Sequence, residues 1–269
     1  MNSWCYNPTM GKNKLKIIDV HAHLTWVSFD TDRDDVIYKM KNNQIGAISV
    51  GVDLNSSLKN IKLAEQYKNI WATVGVHPHS DISSDDLKTL NTLAANDSVV
   101  AIGETGLDYF KSDVSRARQQ EIFQKHIDLA LSLNKPLMIH TRDVAGSFVA
   151  YHDVYNILEK YKGRVHPHFH FYAGDIESTR TLLDLGATFS FTGVITFSDS
   201  YNNLLQYLPK TSTMVETDSP FVAPVPYRGE RNDPTLIPSI LNKIADVWGV
   251  SHETCAITLR ENTRRVFGI

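Results

Sequence analysis

Eight short runs of apolar and β-branched residues recur along the chain, and segments with helical periodicity separate them. Leu87, Leu90 and Ala94 form one such helical stripe, and Phe123, Ile127 and Ala130 form another. This alternation is typical of a parallel sheet whose strands are buried on both faces beneath helices. The predicted strands are Lys16–Val20, Gly46–Val50, Trp71–Val76, Val99–Ile102, Pro136–Ile139, Val165–His170, Ala187–Phe191 and Thr213–Val215.

Eight strands in 269 residues favour a closed (β/α)8 TIM barrel, a fold that needs about 250 residues. An open doubly wound sheet would carry a glycine-rich phosphate loop after its first strand. Here the first strand leads instead into Asp19-Val-His21-Ala-His23. We therefore predict an α/β chain with one barrel domain over residues 15–269, preceded by a disordered leader over residues 1–14.

The composition excludes several classes of protein. With 27 Lys and Arg against 30 Asp and Glu, the net charge of −3 provides no basic field to coat duplex DNA. No stretch reaches the roughly 18 apolar residues of a membrane span, and no apolar signal segment opens the chain. Two cysteines, Cys5 and Cys255, cannot form a disulfide framework. We expect a cytoplasmic protein, and nothing in the sequence indicates an obligate protein partner.

Residues that can bind metal ions stand at the predicted C-terminal strand ends. All such ends point to one mouth of a barrel, so these side chains should converge there. Imidazole and carboxylate groups suit Zn, Mn and related divalent ions. Convergence of so many ligands predicts a metal site. The residues are His21 and His23 after strand 1, His77 after strand 3, Glu104 after strand 4, His140 after strand 5, His170 after strand 6 and Asp218 after strand 8.

Each piece taken alone has a simpler interpretation. The His21-x-His23 pair can chelate one ion, or it can be two hydrogen-bonded histidines at the mouth. Glu104 can equally cap a helix or pair with an arginine, and His140 can be a buried histidine bonded to backbone. His166, His168 and His170 alternate onto one strand face, which predicts that they line the barrel interior with only His170 at the mouth. His168 is expected to orient a ligand or to fill an interior layer, and Glu216 is expected to orient a ligand. Surface positions are expected for the remaining histidines in loops and helices, which are His79, His126, His152 and His252.

Several motifs together resemble the TatD family of metal-dependent hydrolases, in the order that family has them. The resemblance runs from about Ile17 to Phe267. One departure lies after His170, where the family usually has His-x-Phe-Thr/Ser-Gly and this chain has His170-Phe-Tyr172-Ala173-Gly174. The matching motifs are Asp19-x-His21-x-His23-Leu24, Gly75-Val-His77-Pro78-His79, Gly103-Glu104-Thr-Gly106-Leu107-Asp108-Tyr109, Lys135-Pro136-Leu-Met-Ile-His140-Thr-Arg142-Asp143, Glu216-Thr217-Asp218-Ser219-Pro220 and Arg228-Gly229.

The resemblance implies a barrel that holds one or two divalent ions (Zn, Mg or Mn). By this resemblance His21 and His23 bind one ion beside Asp218, which also accepts a proton from water. His140 and His170 then bind the second ion, and Glu104 bridges both. His77, Arg142 and Arg228 become candidate phosphate contacts, although either arginine could instead pair with a neighbouring aspartate. Aromatic residues of the mouth loops, which could stack on bases, are Tyr109, Phe110, Tyr172, Phe221 and Tyr227.

The implied activity is phosphodiester hydrolysis, commonly from the 3′ end of single-stranded DNA or RNA, with small phosphodiesters as further substrates. An ester hydrolase such as an aminoacyl-tRNA deacylase would use the same two-metal site, and the sequence does not separate the two. Enzymes of this fold that bridge their metals with a carbamylated lysine need Lys at the end of strand 4, where this chain has Glu104. A non-catalytic metal scaffold would instead predict closed four-ligand coordination.

Overall fold

The computed structural model describes residues 15–269, in which eight parallel strands pair in sequence order from β1 to β8. This confirms the (β/α)8 barrel predicted from the alternating runs. The leader predicted over residues 1–14 lies outside the described residues. The strands are β1 (Ile17–Ala22), β2 (Ile45–Ser49), β3 (Ile70–Val74), β4 (Val99–Asp108), β5 (Leu137–Arg142), β6 (Pro167–Phe169), β7 (Thr188–Phe191) and β8 (Thr213–Val215).

Helices cover the outside of the barrel, as the periodic stripes predict. Asp175 caps the helix that follows it, because its side chain accepts a hydrogen bond of 2.8 Å from the Ser178 amide. No helix of the described chain is long and apolar enough to cross a membrane. The α-helices are α1 (Arg33–Asn42), α2 (Leu54–Gln66), α3 (Ser84–Ala94), α4 (Arg116–Leu133), α5 (Val149–Leu158), α6 (Ile176–Asp184), α7 (Asn202–Tyr207), α8 (Ile237–Trp248) and α9 (His252–Phe267).

The buried apolar residues form two clusters. The larger one contains residues from strands and from the helices around them, so it fills the layer between sheet and helices. The smaller one draws mostly on strands, with Ile18, Ile48, Met138 and Met214 among its members, and also includes Phe267 at the end of α9. It therefore forms the packed barrel interior, and Phe267 closes the end opposite the mouth.

β4 is longer than the sequence predicts, since it continues past Ile102 to Asp108. Its pairing with β5 shifts register between Ile102 and Thr105, at Gly103, and Gly106 then pairs with His140. Both Gly103 and Gly106 have positive φ, and a Cβ on Gly106 would overlap the carbonyl oxygen of His140. The two glycines thus permit close contact between β4 and β5. In the sequence, glycines at these positions suggest instead that the strand ends.

Other strand ends also differ from the prediction. β1 reaches Ala22 and β5 reaches Arg142, so His21, Glu104 and His140 lie within strands rather than after them. β6 is shorter than predicted and leaves His170 just beyond its end. His166 precedes β6 and is exposed, so its predicted place in the barrel interior is wrong.

The seam between β1 and β8 is held by a buried carboxyl group. Asp19 accepts hydrogen bonds from the Thr217 amide at 2.9 Å and the Thr217 hydroxyl at 2.5 Å. Burial raises the pKa of Asp19 to about 8, although hydrogen bonds from Thr217 and His21 act in the opposite direction. Beyond β8, the Asp218 amide donates to the His21 carbonyl at 2.9 Å. These bonds close the barrel and fix β1 and the segment after β8 side by side.

Candidate metal centre

The structure brings all seven predicted residues together at the C-terminal mouth of the barrel. The five histidines all lie within ion-pair distance of Glu104, and His21 and His23 are also that close to Asp218. Most of the seven residues are buried. These residues form three overlapping groups, and within each group the ligand atoms lie within 4.8 Å of one another. They are His21 with His170 and Asp218, His21 with His23 and Glu104, and His77 with Glu104 and His140.

Glu104 stands at the centre of the cluster, and its two carboxylate oxygens face different histidines. Oε2 lies 3.4 Å from Nε2 of His21 and 3.8 Å from Nε2 of His23. Oε1 lies 3.0 Å from Nδ1 of His140 and 3.0 Å from Nε2 of His170. The Glu104 carboxylate thereby separates a first set of histidines, His21 and His23, from a second set, His140 and His170.

Asp218 completes the first set from the other side of the seam. Its Oδ1 lies 3.4 Å from Nε2 of His23 and 3.6 Å from Nε2 of His21. The residue has a φ of 52°, a left-handed conformation that aspartate tolerates better than most residues. The seam hydrogen bond to His21 holds this conformation, so Asp218 and the β1 histidines form one fixed unit.

The donor chemistry fits divalent ions. Nε2 of His21 and Nε2 of His23 point at each other across 3.2 Å, although both rings are buried. Nδ1 of His21 is buried with no hydrogen-bond partner. Buried imidazole nitrogens aimed at one another and at two carboxylates could hold a shared cation, and N and O donors of this kind suit Zn, Mn and similar ions.

The charges of the cluster are strongly coupled. Burial alone would raise the pKa of Glu104, but the histidines around it, His170 foremost, bring that pKa well below its usual range. Burial opposes the charged form of His170, yet Glu104 and Glu216 raise its pKa well above 6.5. The pKa of His77 falls to about 3, first through burial and then through repulsion from His140. Glu104 is therefore ionised, as a metal ligand must be.

A carboxylate that the sequence interpretation overlooked orients His140. Oδ2 of Asp108 lies 3.0 Å from Nε2 of His140 and 2.9 Å from Nε2 of His79. Oδ1 accepts hydrogen bonds from the amides of Phe110 and Lys111. Because Asp108 accepts a hydrogen bond from Nε2–H of His140, the Nδ1 lone pair is left free toward Glu104 and the ligand cluster. The only sequence signal was the position of Asp108 in the motif that contains Glu104.

His170 has a similar partner on its far side. Nδ1 of His170 lies 3.4 Å from Oε1 of Glu216, and the Phe171 amide donates to the same oxygen at 2.7 Å. The Ser190 hydroxyl donates to Glu216 and lies 2.9 Å from His168. Glu216 thus lies where the sequence places an orienting group. His168 lies in the layer below, where the Ser190 hydroxyl links its Nε2 to Glu216.

Two histidines expected on the surface have other surroundings. His126 is buried, with Nδ1 at 2.8 Å from the Ile122 carbonyl, and its Nε2 accepts a hydrogen bond from the Val76 amide. It therefore supports the segment that carries His77. His79, although partly exposed, reaches Asp108 at the edge of the centre. A surface role is wrong for His126, because its partner comes from a distant part of the chain.

The two arginines predicted to hold phosphate lie outside the ligand cluster. The guanidinium of Arg142 covers the Phe110 ring at 4.4 Å, and that of Arg228 covers the Phe197 ring at 4.0 Å. Both are exposed, and neither has an ion pair in the part of the chain that the structure describes. The alternative of pairing with a neighbouring aspartate is therefore wrong. A phosphate role for either arginine stays a prediction.

The mouth aromatics do not all lie at the rim. Tyr172 is buried and its hydroxyl contacts Thr179 at 3.0 Å, so its predicted place at the mouth surface is wrong. The Tyr109 hydroxyl donates to Asp153. Phe110, Phe221 and Tyr227 are exposed, and so is Trp26, which the sequence interpretation did not single out.

Sequence comparison identifies close relatives of this chain along nearly its whole length. Residues 18–268 match the TatD related DNase family. An uncharacterized metal-dependent hydrolase, YcfH of Escherichia coli, is 35% identical over 94% of this chain and 96% of its own length. A protein of Pantoea ananatis named 3′-5′ ssDNA/RNA exonuclease TatD is 31% identical over 94% of this chain and 100% of its own length.

Solved structures agree with the observed architecture. The crystal structure of YJJV, a TatD homolog from Escherichia coli, superposes with a TM-score of 0.87, covers 94% of this chain and 98% of its own, and is 23% identical. A TatD family hydrolase from Entamoeba histolytica superposes with a TM-score of 0.84 over 94% of this chain and 98% of its own, at 22% identity. At these identities the structures support the fold, and the family follows from the sequence match. Together with the convergent donor cluster, these matches show that the chain belongs to the TatD family of metal-dependent hydrolases.

Proposed function

We propose that the chain hydrolyses phosphodiester bonds at the 3′ end of single-stranded DNA or RNA with two divalent ions. The observation that carries this proposal is the division of donors by Glu104, whose two oxygens face two different histidine sets. The relative from Pantoea ananatis, named as a 3′-5′ ssDNA/RNA exonuclease, supports the substrate class. The cytoplasm stays the predicted location.

Each set of donors has a distinct task in this proposal. His21, His23 and Asp218 would hold one ion, and His140 and His170 would hold the other. Glu104 would contribute to both sites, since its two oxygens face the two sets of histidines. Divalent ions held in such a pair stabilise charge on phosphoryl oxygens and make bound water more acidic near neutral pH.

His77 has a place in the second set or beside it. Its Nε2 lies 3.5 Å from Oε1 of Glu104, in one ligand group with His140. Burial keeps this imidazole neutral near pH 7, since its pKa is about 3. The His79 amide donates to its Nδ1 at 3.2 Å, so the neutral ring carries its proton on Nε2 and can offer an N–H to a phosphate oxygen.

Asp218 is the proton acceptor in this proposal. Burial would raise its pKa, but hydrogen bonding and charge from His23 and His21 lower it, so that the carboxylate is ionised at neutral pH. Its Oδ1 is directed at the first donor set, where an attacking water would be deprotonated.

Substrate binding outside the cluster falls to exposed cations and aromatic rings. Arg142 and Arg228 have no acidic partner in the described chain, so their guanidinium groups are available to phosphate oxygens. Two separate cations suit a strand end, whereas a duplex needs many simultaneous phosphate contacts. This favours single strands over duplex substrates.

Metal-reconstituted protein should shorten a 5′-labelled single-stranded oligonucleotide one nucleotide at a time. A phosphorothioate linkage at the 3′ end should block this ladder, and a chelator should abolish it until Mn²⁺, Mg²⁺ or Zn²⁺ is restored. Glu104→Gln protein serves as the inactive control. Hydrolysis of an aminoacyl ester without any oligonucleotide cleavage would contradict the proposal and favour the deacylase alternative.

A further inference from the structure

Two exposed aromatic side chains lie beside His23 at one edge of the mouth. The ring centroid of Trp26 is 5.8 Å from that of His23, and the centroid of Phe221 is 6.0 Å from it. Trp26 and Phe221 contact each other edge to face at 5.6 Å. About two-fifths of each residue is exposed, 39% for Trp26 and 41% for Phe221. Single exposed aromatics are common, but this pair adjoins a residue of the metal centre.

The backbone under each ring is tied to the metal centre. The Trp26 amide donates to the His23 carbonyl at 3.0 Å, and the Phe221 amide donates to the Asp218 carbonyl at 2.9 Å. The side chain of Asn232 donates to the Phe221 carbonyl at 2.6 Å. Both rings are thus exposed side chains on backbone that is fixed relative to the ligands.

An arginine joins the two loops that carry these rings. Arg231 follows Phe221 in the loop after β8, and its guanidinium forms a two-point ion pair with Asp32 at 2.8 and 2.6 Å. It also donates to the Ser28 carbonyl at 2.6 Å, two residues after Trp26. Such bidentate pairs fix orientation as well as distance. The spacing of the two rings is therefore set before any substrate binds.

We propose that Trp26 and Phe221 form a stacking clamp for the nucleobase of the nucleotide next to the scissile phosphate, in which the base stacks on an exposed ring face of this edge-to-face pair and not between the two rings. This inference rests on the proposed nuclease function and names the side of the mouth on which the base lies. A phosphate held beside His23 places its base within reach of both rings. Stacking on aromatic rings accepts any base, which suits a substrate without sequence preference.

The opposite edge of the mouth is less suited to this task. There the exposed Phe110 ring is covered by the guanidinium of Arg142 at 4.4 Å. No cation of the described residues covers the ring of Trp26 or Phe221. The ring faces that the edge-to-face contact leaves exposed beside His23 therefore fit a base, and the cation beside Phe110 fits a phosphate.

The test compares two single-stranded oligonucleotides that share a backbone and differ at the 3′ end. One has natural bases, and the other has abasic tetrahydrofuran residues at its last positions. Stacking of one base contributes about 1–3 kcal/mol, so the wild type should prefer the natural end in kcat/KM by about 5- to 150-fold, mainly through KM. The Trp26→Ala/Phe221→Ala double variant should lose this preference.

Matched variants separate stacking from structure. Trp26→Phe retains an aromatic face and should keep most of the preference, and Tyr207→Ala removes an exposed ring from the end of α7, away from the mouth. Metal content of every variant, measured by atomic absorption, should equal that of the wild type.

The outcomes distinguish the clamp from the proposed function. If the wild type cleaves both oligonucleotides and the double variant keeps the preference, the clamp is wrong while the nuclease function stands. Equal loss on both substrates would show that the rings act only structurally, which also overturns the clamp. If the wild type cleaves neither substrate, the proposed function fails, and the clamp fails with it.

Discussion

Asp108 offers the sharpest test of how the metal centre is oriented, because one atom can be changed without removing its backbone contacts. In Asp108→Asn the side-chain oxygen can still accept from the amides of Phe110 and Lys111. The new NH₂ group then faces Nε2 of both His140 and His79. A hydrogen-bond donor thus replaces the acceptor that Nε2–H of His140 needs.

The expected consequence is a change of tautomer in His140. Its proton moves from Nε2 to Nδ1, the atom that faces Glu104 at 3.0 Å and must stay free to bind metal. Loss of a carboxylate that orients a metal-binding histidine typically lowers metal affinity 10- to 100-fold, which corresponds to about 1.4–2.7 kcal/mol. We expect Asp108→Asn to weaken the second ion by this amount and to leave the first ion in place.

The assay is a competitive chelator titration that resolves the two ions, with urea unfolding as a check on the fold. Asp153→Asn is the matched control, since Asp153 also accepts from two side chains, Tyr109 and Gln120, but contacts no histidine of the centre. Equal metal affinities in the two variants, within about twofold, would refute the reasoning about His140.

Three further predictions concern the bridge, the pH dependence and the substrate end. Glu104→Gln should lower metal stoichiometry and turnover, measured by atomic absorption and oligonucleotide cleavage, and an unchanged stoichiometry would contradict the bridging role. His152→Ala is its control, because His152 is exposed, whereas His79 would not serve since it contacts Asp108 at the edge of the centre. Burial lowers the pKa of His126 to about 4, so protons bind the unfolded chain more strongly below about pH 6.5. The unfolding free energy should therefore fall by about 2 kcal/mol from pH 7 to pH 5 through this residue. In His126→Gln, the unfolding free energy from urea titrations at several pH values should depend less steeply on pH. Equal slopes would refute this. A closed single-stranded circle should resist hydrolysis on gels, whereas rapid cutting of it would contradict recognition of a free end.

Periodicity in the sequence was sufficient to predict the barrel because each strand is a continuous apolar run between helical stripes. The strand ends were harder to predict. Gly103 and Gly106 read as breaks, but in the barrel they allow β4 to pass close to β5. The predicted length of β6 also failed, because His166 stands where the chain is still exposed. Such ends depend on contacts with neighbouring strands, and local sequence does not record them.

The ligand cluster could be predicted because the fold itself brings together the ends of parallel strands. Once a barrel is inferred, a histidine or carboxylate at a strand end is placed at the mouth without knowledge of any contact. The residues that orient these ligands cannot be placed in this way. Asp108 reaches His140 through an extension of β4 that the sequence hides, and His126 reaches Val76 across 50 positions of the chain. Orientation of the ligands therefore depends on register and on distant contacts, whereas their convergence depends on topology alone. For the same reason, a change in Asp108 can alter the chemistry of His140 while every strand keeps its place.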